Sequence, residues 1–91
     1  MAEISISPLA PREFEVQVRE GEDETTHQVR VPERLAEGLE IRDDDLERVV
    51  RESFLFLLER ERATSILARF SLSDISRYFS EYPAELARRL S

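Results

Sequence analysis

One segment in the middle of the chain constrains the fold most. Its inward positions follow the spacing i, i+3, i+4, i+7 that places residues on one face of an α-helix. These positions are Leu46, Val49, Val50, Ser53, Phe54, Leu57 and Leu58. Three aspartates, Asp43 to Asp45, precede this run, and Arg60 and Arg62 follow it. Each end therefore carries the charge that a helix terminus favours. The pattern predicts a long helix over about residues 44–62.

The residues before this helix have the alternation of β-strands. The apolar positions alternate with polar ones in two segments, Phe14–Val16–Val18 and His27–Val29–Val31. The polar segment 21–26 joins them, which predicts an antiparallel hairpin. In residues 1–12, Ile4 and Ile6 also alternate, but prolines follow them. This segment predicts either a third, edge strand or a loosely ordered arm.

The remaining segments predict short helices. One is expected over residues 33–39 after Pro32, one around residues 66–70, one after the capping-box pair Ser71 and Asp74, and one from Pro83 onward. A hairpin followed by helices indicates an α+β fold in a single domain over residues 1–91, with the hairpin packed on the long helix.

The composition limits the compartment and the partners. The chain has no cysteine, so disulfides and thiolate metal sites are excluded. It has 20 acidic and 13 basic residues and a net charge of −7, which disfavours nucleic acid and anionic membranes as partners. The longest apolar run, 54–58, is too short to span a bilayer. No signal-peptide pattern opens the chain, so we expect a cytoplasmic protein. All the basic residues are arginine, which is typical of GC-rich bacterial coding sequences.

The residues that could carry chemistry do not form a recognisable catalytic or metal-binding pattern. The aspartates 43–45 lack the alternate spacing and glycine turn of a calcium loop. His27 is the only histidine, so we interpret it as structural or exposed rather than as a ligand or base. The two glycines cannot build a phosphate-binding loop. We therefore expect no catalytic residue, metal, cofactor or small-molecule ligand, and a non-enzymatic protein-interaction module.

The run Phe54–Leu58 indicates where a partner could bind. Leu55 points away from the main apolar stripe, on the side where a surface helix is usually polar. Either the C-terminal helices wrap around the long helix and cover Leu55, or Leu55 meets a partner protein. In the second case we expect Phe56 or Tyr78 beside it, and the partner could be a second copy of the chain.

Two segments resemble DNA-binding motifs. The segment from His27 to Leu35, with residues 49–54, resembles ribbon-helix-helix repressors, and this implies base contacts by Gln28 and Arg30. Residues 66–77 resemble a helix-turn-helix. A small DNA-associated regulator is therefore the alternative hypothesis. The order of hairpin, long helix and aromatic C-terminal segment is also similar to small prokaryotic proteins of unknown function, a resemblance that implies no activity.

Overall fold

The computed structural model describes residues 2–36 and 39–91 and has the α+β architecture that the sequence predicts. The strands are β1 (Ala2–Ala10), β2 (Glu13–Glu20), β3 (Asp23–Arg30), β4 (Arg34–Ala36), β5 (Leu39–Glu40) and β6 (Arg69–Ser71). The helices are α1 (Leu46–Leu58), α2 (Ile75–Tyr78) and α3 (Tyr82–Leu90). Short 3₁₀ turns occupy Asp43–Asp45, Ala63–Ser65 and Leu72–Asp74.

The main sheet has the strand order β1-β2-β3-β6. Its first three strands are antiparallel, whereas β6 pairs with β3 in parallel. The predicted hairpin is confirmed as β2 and β3, joined by a two-residue turn in which Gly21 has φ +64°, as the first central position of a type II′ turn requires. Residues 2–10 form the edge strand, so the loosely ordered arm was the wrong alternative.

The core lies between this sheet and α1. The inward residues of β2 and β3 are Phe14, Val16, Val18, His27 and Val29. They face the buried stripe of α1, which consists of Val49, Val50, Ser53, Phe54 and Leu57 together with Phe56. The long helix is thus confirmed, but it ends at Leu58 rather than Arg62. The chain then turns because the buried Ala63 lies against the sheet, where its N–H donates to a Glu20 carboxylate oxygen at 3.0 Å.

The predicted helix over residues 33–39 is wrong. Instead β4 and β5 pair as a small antiparallel ribbon, while residues 37 and 38 lie outside the described residues. The guanidinium of Arg12 holds both ends of this segment. Its Nη2 donates to the carbonyl of Pro32 at 2.8 Å and to that of Ile41 at 3.1 Å, and its Nη1 pairs with Asp43 at 2.6 Å. These tertiary contacts override the local spacing.

The predicted helix around residues 66–70 is also wrong, because β6 begins at Arg69 and residues 66–68 are not helical. The Ala68 carbonyl instead accepts from the Gln28 N–H at 2.8 Å. Residues 66–77 therefore do not fold as a helix-turn-helix. The capping box is confirmed: the Asp74 carboxylate accepts from the Ser71 N–H at 3.1 Å, just before α2. The last helix is confirmed as α3, with Pro83 in its first turn.

Candidate protein-interaction site

An apolar groove opens at the C-terminal end of α1. Its walls come from α1, the 63–68 connection, β6 and α2, and its cavity volume is about 160 Å³. The apolar lining residues are Leu57, Ile66, Leu67, Phe70, Ile75, Tyr78 and Phe79. The polar ones are Ser65, Glu61 and Asp74. Leu67 is 52% exposed and Tyr78 is 70% exposed, so both are accessible to a partner.

The outer wall of the groove is tied to the sheet through His27. The Leu67 carbonyl lies 2.7 Å from His27 Nδ1 and can only accept, so Nδ1 donates. The other ring nitrogen, Nε2, then accepts from the Thr25 hydroxyl at 2.8 Å. His27 is 2% exposed, and its ring packs at a tilt of 55° against Phe54, with 5.4 Å between centroids. His27 therefore has a structural role: it positions Leu67 at the rim.

The two carboxylates in the groove differ in their surroundings. Asp74 accepts a backbone hydrogen bond from Ser71 and lies 3.9 Å from the guanidinium of Arg77. Glu61 has a raised pKa because burial penalises its charged form, and no charged neighbour contributes to this shift. A positive group brought into the groove would therefore stabilise the Glu61 carboxylate.

The three predicted interaction residues do not form one patch. Tyr78 lines the groove, as an accessible aromatic side chain. Phe56 is only 1% exposed, so it belongs to the core and contributes nothing to an interaction surface. Leu55 is 37% exposed but lies about 200° around α1 from the groove residue Leu57. The patch predicted around Leu55 is thus absent from the described surface.

The sequence analysis missed Leu67 and Phe70 as groove residues because it placed both on a helix. The adjacent pair Ile66 and Leu67 carried a usable signal. In an extended segment neighbouring side chains point to opposite sides, so one residue of such a pair must leave the core. Ile66 is the buried member, and Leu67 is the exposed one.

The alternative nucleic-acid contacts, Gln28 and Arg30, are both exposed on the outer face of β3. Across the sheet, Glu15 lies opposite Gln28, and Glu13 lies opposite Arg30. On the other side, β6 pairs with both residues and adds Arg69 beside Gln28. Two glutamates therefore flank these positions on the β2 side, and one arginine flanks them on the β6 side.

Two further features of the described residues limit the kinds of site. Within residues 2–36 and 39–91, no three His, Asp or Glu side chains cluster in a way that could hold a metal ion. Over the same ranges, no helix combines the length and the apolar character needed to cross a bilayer. Comparison of the chain with protein-family models, curated proteins and solved structures finds no match.

Proposed function

We propose that this chain is a non-enzymatic protein-interaction module whose groove binds an apolar side chain of a partner segment that also carries a basic residue. The observation that supports this most is the exposure of Leu67 and Tyr78 around an apolar groove that contains Glu61. Apolar residues at the rim favour contact with a partner. The carboxylate selects a lysine or arginine beside the inserted side chain.

The size of the groove favours a side chain over a small-molecule ligand. Its volume is about 160 Å³. Sites for drug-sized ligands usually enclose roughly 300–1,000 Å³ and bury most of the ligand. A single leucine, methionine or phenylalanine side chain suits the smaller space, and the rest of a peptide would lie across Leu67 and Tyr78.

The polar groups of the groove favour binding over catalysis. A carboxyl group with a raised pKa in an apolar pocket is also found in catalytic acids, so Glu61 has to be weighed in that role. Catalysis would need a second group positioned beside it. Asp74 is occupied in the capping box, and His27 is buried with both ring nitrogens hydrogen-bonded. These engagements leave Glu61 suited to pairing with a partner's basic residue.

Selection from a random peptide library displayed on phage tests the groove directly. We expect the selected peptides to share an apolar anchor next to lysine or arginine. Their affinity, measured by fluorescence anisotropy, should fall about tenfold or more in Leu67→Ser, because anchors in the centre of an interface dominate binding. The matched control is Leu9→Ser, since Leu9 is 50% exposed and lies outside the groove.

The variant Glu61→Gln separates the charge contribution from the apolar one. It should weaken binding of the selected peptides, yet leave the free energy of unfolding unchanged or slightly higher, because the partly buried carboxylate is replaced by a neutral amide. Peptides without a basic residue, or binding that Leu67→Ser and Leu9→Ser weaken equally, would contradict the proposal.

The second candidate function is a small DNA-associated regulator. The exposed Gln28, with Arg30 and Arg69 close by, supports it, whereas Glu13 and Glu15 on β2 oppose it. A gel-shift experiment with mixed-sequence duplex DNA at low salt tests this alternative, because phosphate contacts are strongest there. A shift that Arg30→Ala abolishes would favour the regulator over the peptide-binding module. No shift would exclude it.

A further inference from the structure

The longer edge of the sheet, formed by β1, is not covered by any described strand. β1 pairs with β2 along one side only. The residues that flank the two-residue turn of the hairpin, Glu20 and Asp23, exchange backbone hydrogen bonds. Hydrogen-bonded and non-hydrogen-bonded pairs alternate along antiparallel strands, so the backbone groups of the odd-numbered residues of β1 point toward β2. The N–H and C=O groups of Ala2, Ile4 and Ile6 therefore point toward the uncovered edge.

A contact from α1 supports this assignment. The carbonyl of Ile4 accepts a hydrogen bond from Arg51 Nη1 at 3.2 Å, so this carbonyl does point away from β2. The contact also shows which side of α1 lies along the edge. Leu55 follows Arg51 by one helical turn on that side and is exposed. The edge therefore combines backbone groups that have no partner strand with the half-buried Ile4 and Ile6 and the exposed Leu55.

We propose that β1 pairs antiparallel with β1 of a second copy of this chain, about a two-fold axis at Ser5. In this register Ile4 lies opposite Ile6 of the second copy, and the two isoleucines of each chain exchange backbone hydrogen bonds. Pro8 has no N–H and lies opposite Ala2, where the ladder ends. The Ala2–Pro8 pair therefore lacks the bond that an N–H of residue 8 would donate to the Ala2 carbonyl, and because this pair is the last of the ladder, the bonds of the two Ile4–Ile6 pairs are unaffected.

The side chains suit the same register. On the outer face Ser5 meets Ser5, and Glu3 meets Ser7, so no like charges lie directly opposite each other. Residues opposite each other in an antiparallel pair share a face, so both α1 helices lie on the same side of the joined sheet. The sides of the two α1 helices that face each other carry Leu55, the acidic Glu47 and the basic Arg51. The Ile4 carbonyl exchanges its bond with Arg51 for one with the second copy.

The proposed dimer is independent of the groove, because no groove residue takes part in the pairing. Sedimentation velocity of the full chain tests whether the dimer forms. The wild type should form dimers in the high micromolar range. Ser5→Glu should weaken dimerisation about tenfold or more, because it places like charges opposite each other at the axis. Thr26→Glu is the matched control, since Thr26 lies in the same row of the outer face, two strands away from the edge. It should leave the dimer intact.

Placing opposite charges at residue 5 in two different chains tests whether Ser5 lies on the two-fold axis. Ser5→Lys should also be monomeric, and an equimolar mixture with Ser5→Glu should restore a dimer that contains one chain of each kind. Leu55→Glu should weaken the dimer while circular dichroism shows a folded chain. A wild-type monomer at several hundred micromolar would overturn the inference. A dimer that survives both Ser5 substitutions would overturn it as well. Either result would leave the peptide-binding groove untouched.

Discussion

The two flanks of α1 differ in how their apolar surface is covered. On one flank, α3 packs over Phe56, and the Arg60 guanidinium lies 3.6 Å from the centre of its ring. Arg89 closes the same flank and bonds both carboxylate oxygens of Glu59, at 2.7 and 2.8 Å. On the other flank, the groove beside Leu57 stays open and its rim residues are exposed.

The difference shows what closes an apolar surface in a chain this short. The α3 flank is covered by a nine-residue helix and by two guanidinium groups. Those of Arg60 and Arg89 lie 3.6 and 5.9 Å from the centre of the Phe56 ring while they pair with glutamates. The groove flank faces α2, which has only four residues and ends before it could cover Leu67. The closed flank therefore contributes packing, whereas the open flank is the one on which we propose that a partner binds.

The largest effect is expected from Phe56→Ala on the closed flank. It removes a buried ring that contacts Tyr82 and Phe79, with centroid distances of 5.2 and 5.9 Å. The free energy of unfolding should fall by about 3–5 kcal/mol. Leu67→Ala on the open flank should change it by less than about 0.5 kcal/mol. Urea denaturation followed by circular dichroism measures both, and similar losses in the two variants would refute the contrast.

An intermediate effect is expected from Tyr82→Phe. The Tyr82 hydroxyl lies 2.7 Å from the Ser53 hydroxyl, and both residues are fully buried. Removing one partner leaves the other without its hydrogen bond, at a cost of about 1–3 kcal/mol. Adding Ser53→Ala should recover part of this loss, because the unsatisfied hydroxyl is then gone. A double variant less stable than Tyr82→Phe alone would show that Ser53 contributes in another way.

The smallest effect is expected from Arg89→Met, which keeps the apolar stem and removes the charge. The pair with Glu59 is partly exposed, so the loss at neutral pH should be about 1 kcal/mol or less. The hydrogen bond from Arg89 lowers the pKa of Glu59 relative to the unfolded chain. The stabilisation is therefore present at neutral pH and is lost as the pH falls below about 4.

Denaturation at a series of pH values measures this contribution. The wild type and Arg89→Met should differ at neutral pH and converge in acid, because protonated Glu59 no longer gains from the guanidinium. A stability difference that is constant from neutral to acid pH would mean that Arg89 acts through packing on the Phe56 ring instead.

The parts of the fold that could be predicted are those with a local period. α1 and the β2–β3 hairpin each repeat their pattern several times, so their identity is visible without tertiary information. β5 and β6 have two and three residues and cannot show a period of two. They exist because of pairing partners elsewhere in the chain.

The candidate site was predicted only in part, and for the same reason. Tyr78 was selected for its aromatic ring in a helical pattern, which a local analysis can find. Leu55 and Phe56 are neighbours in sequence but differ by about 100° around α1, and only the position of α3 decides that Phe56 is the buried one. Leu67 was missed because its segment was assigned to a helix, whereas its position depends on a hydrogen bond to the distant His27.

The parallel pairing of β6 with β3 has a consequence for the order of folding. β1, β2 and β3 are consecutive and can form from local contacts, whereas β6 can join only after the chain has returned across α1. Three paired residues and the His27 bond hold it there. We therefore expect the outer wall of the groove, residues 66–71, to order last and to open first. A partner bound in the groove would hold this wall in place and so slow amide hydrogen exchange in residues 66–71.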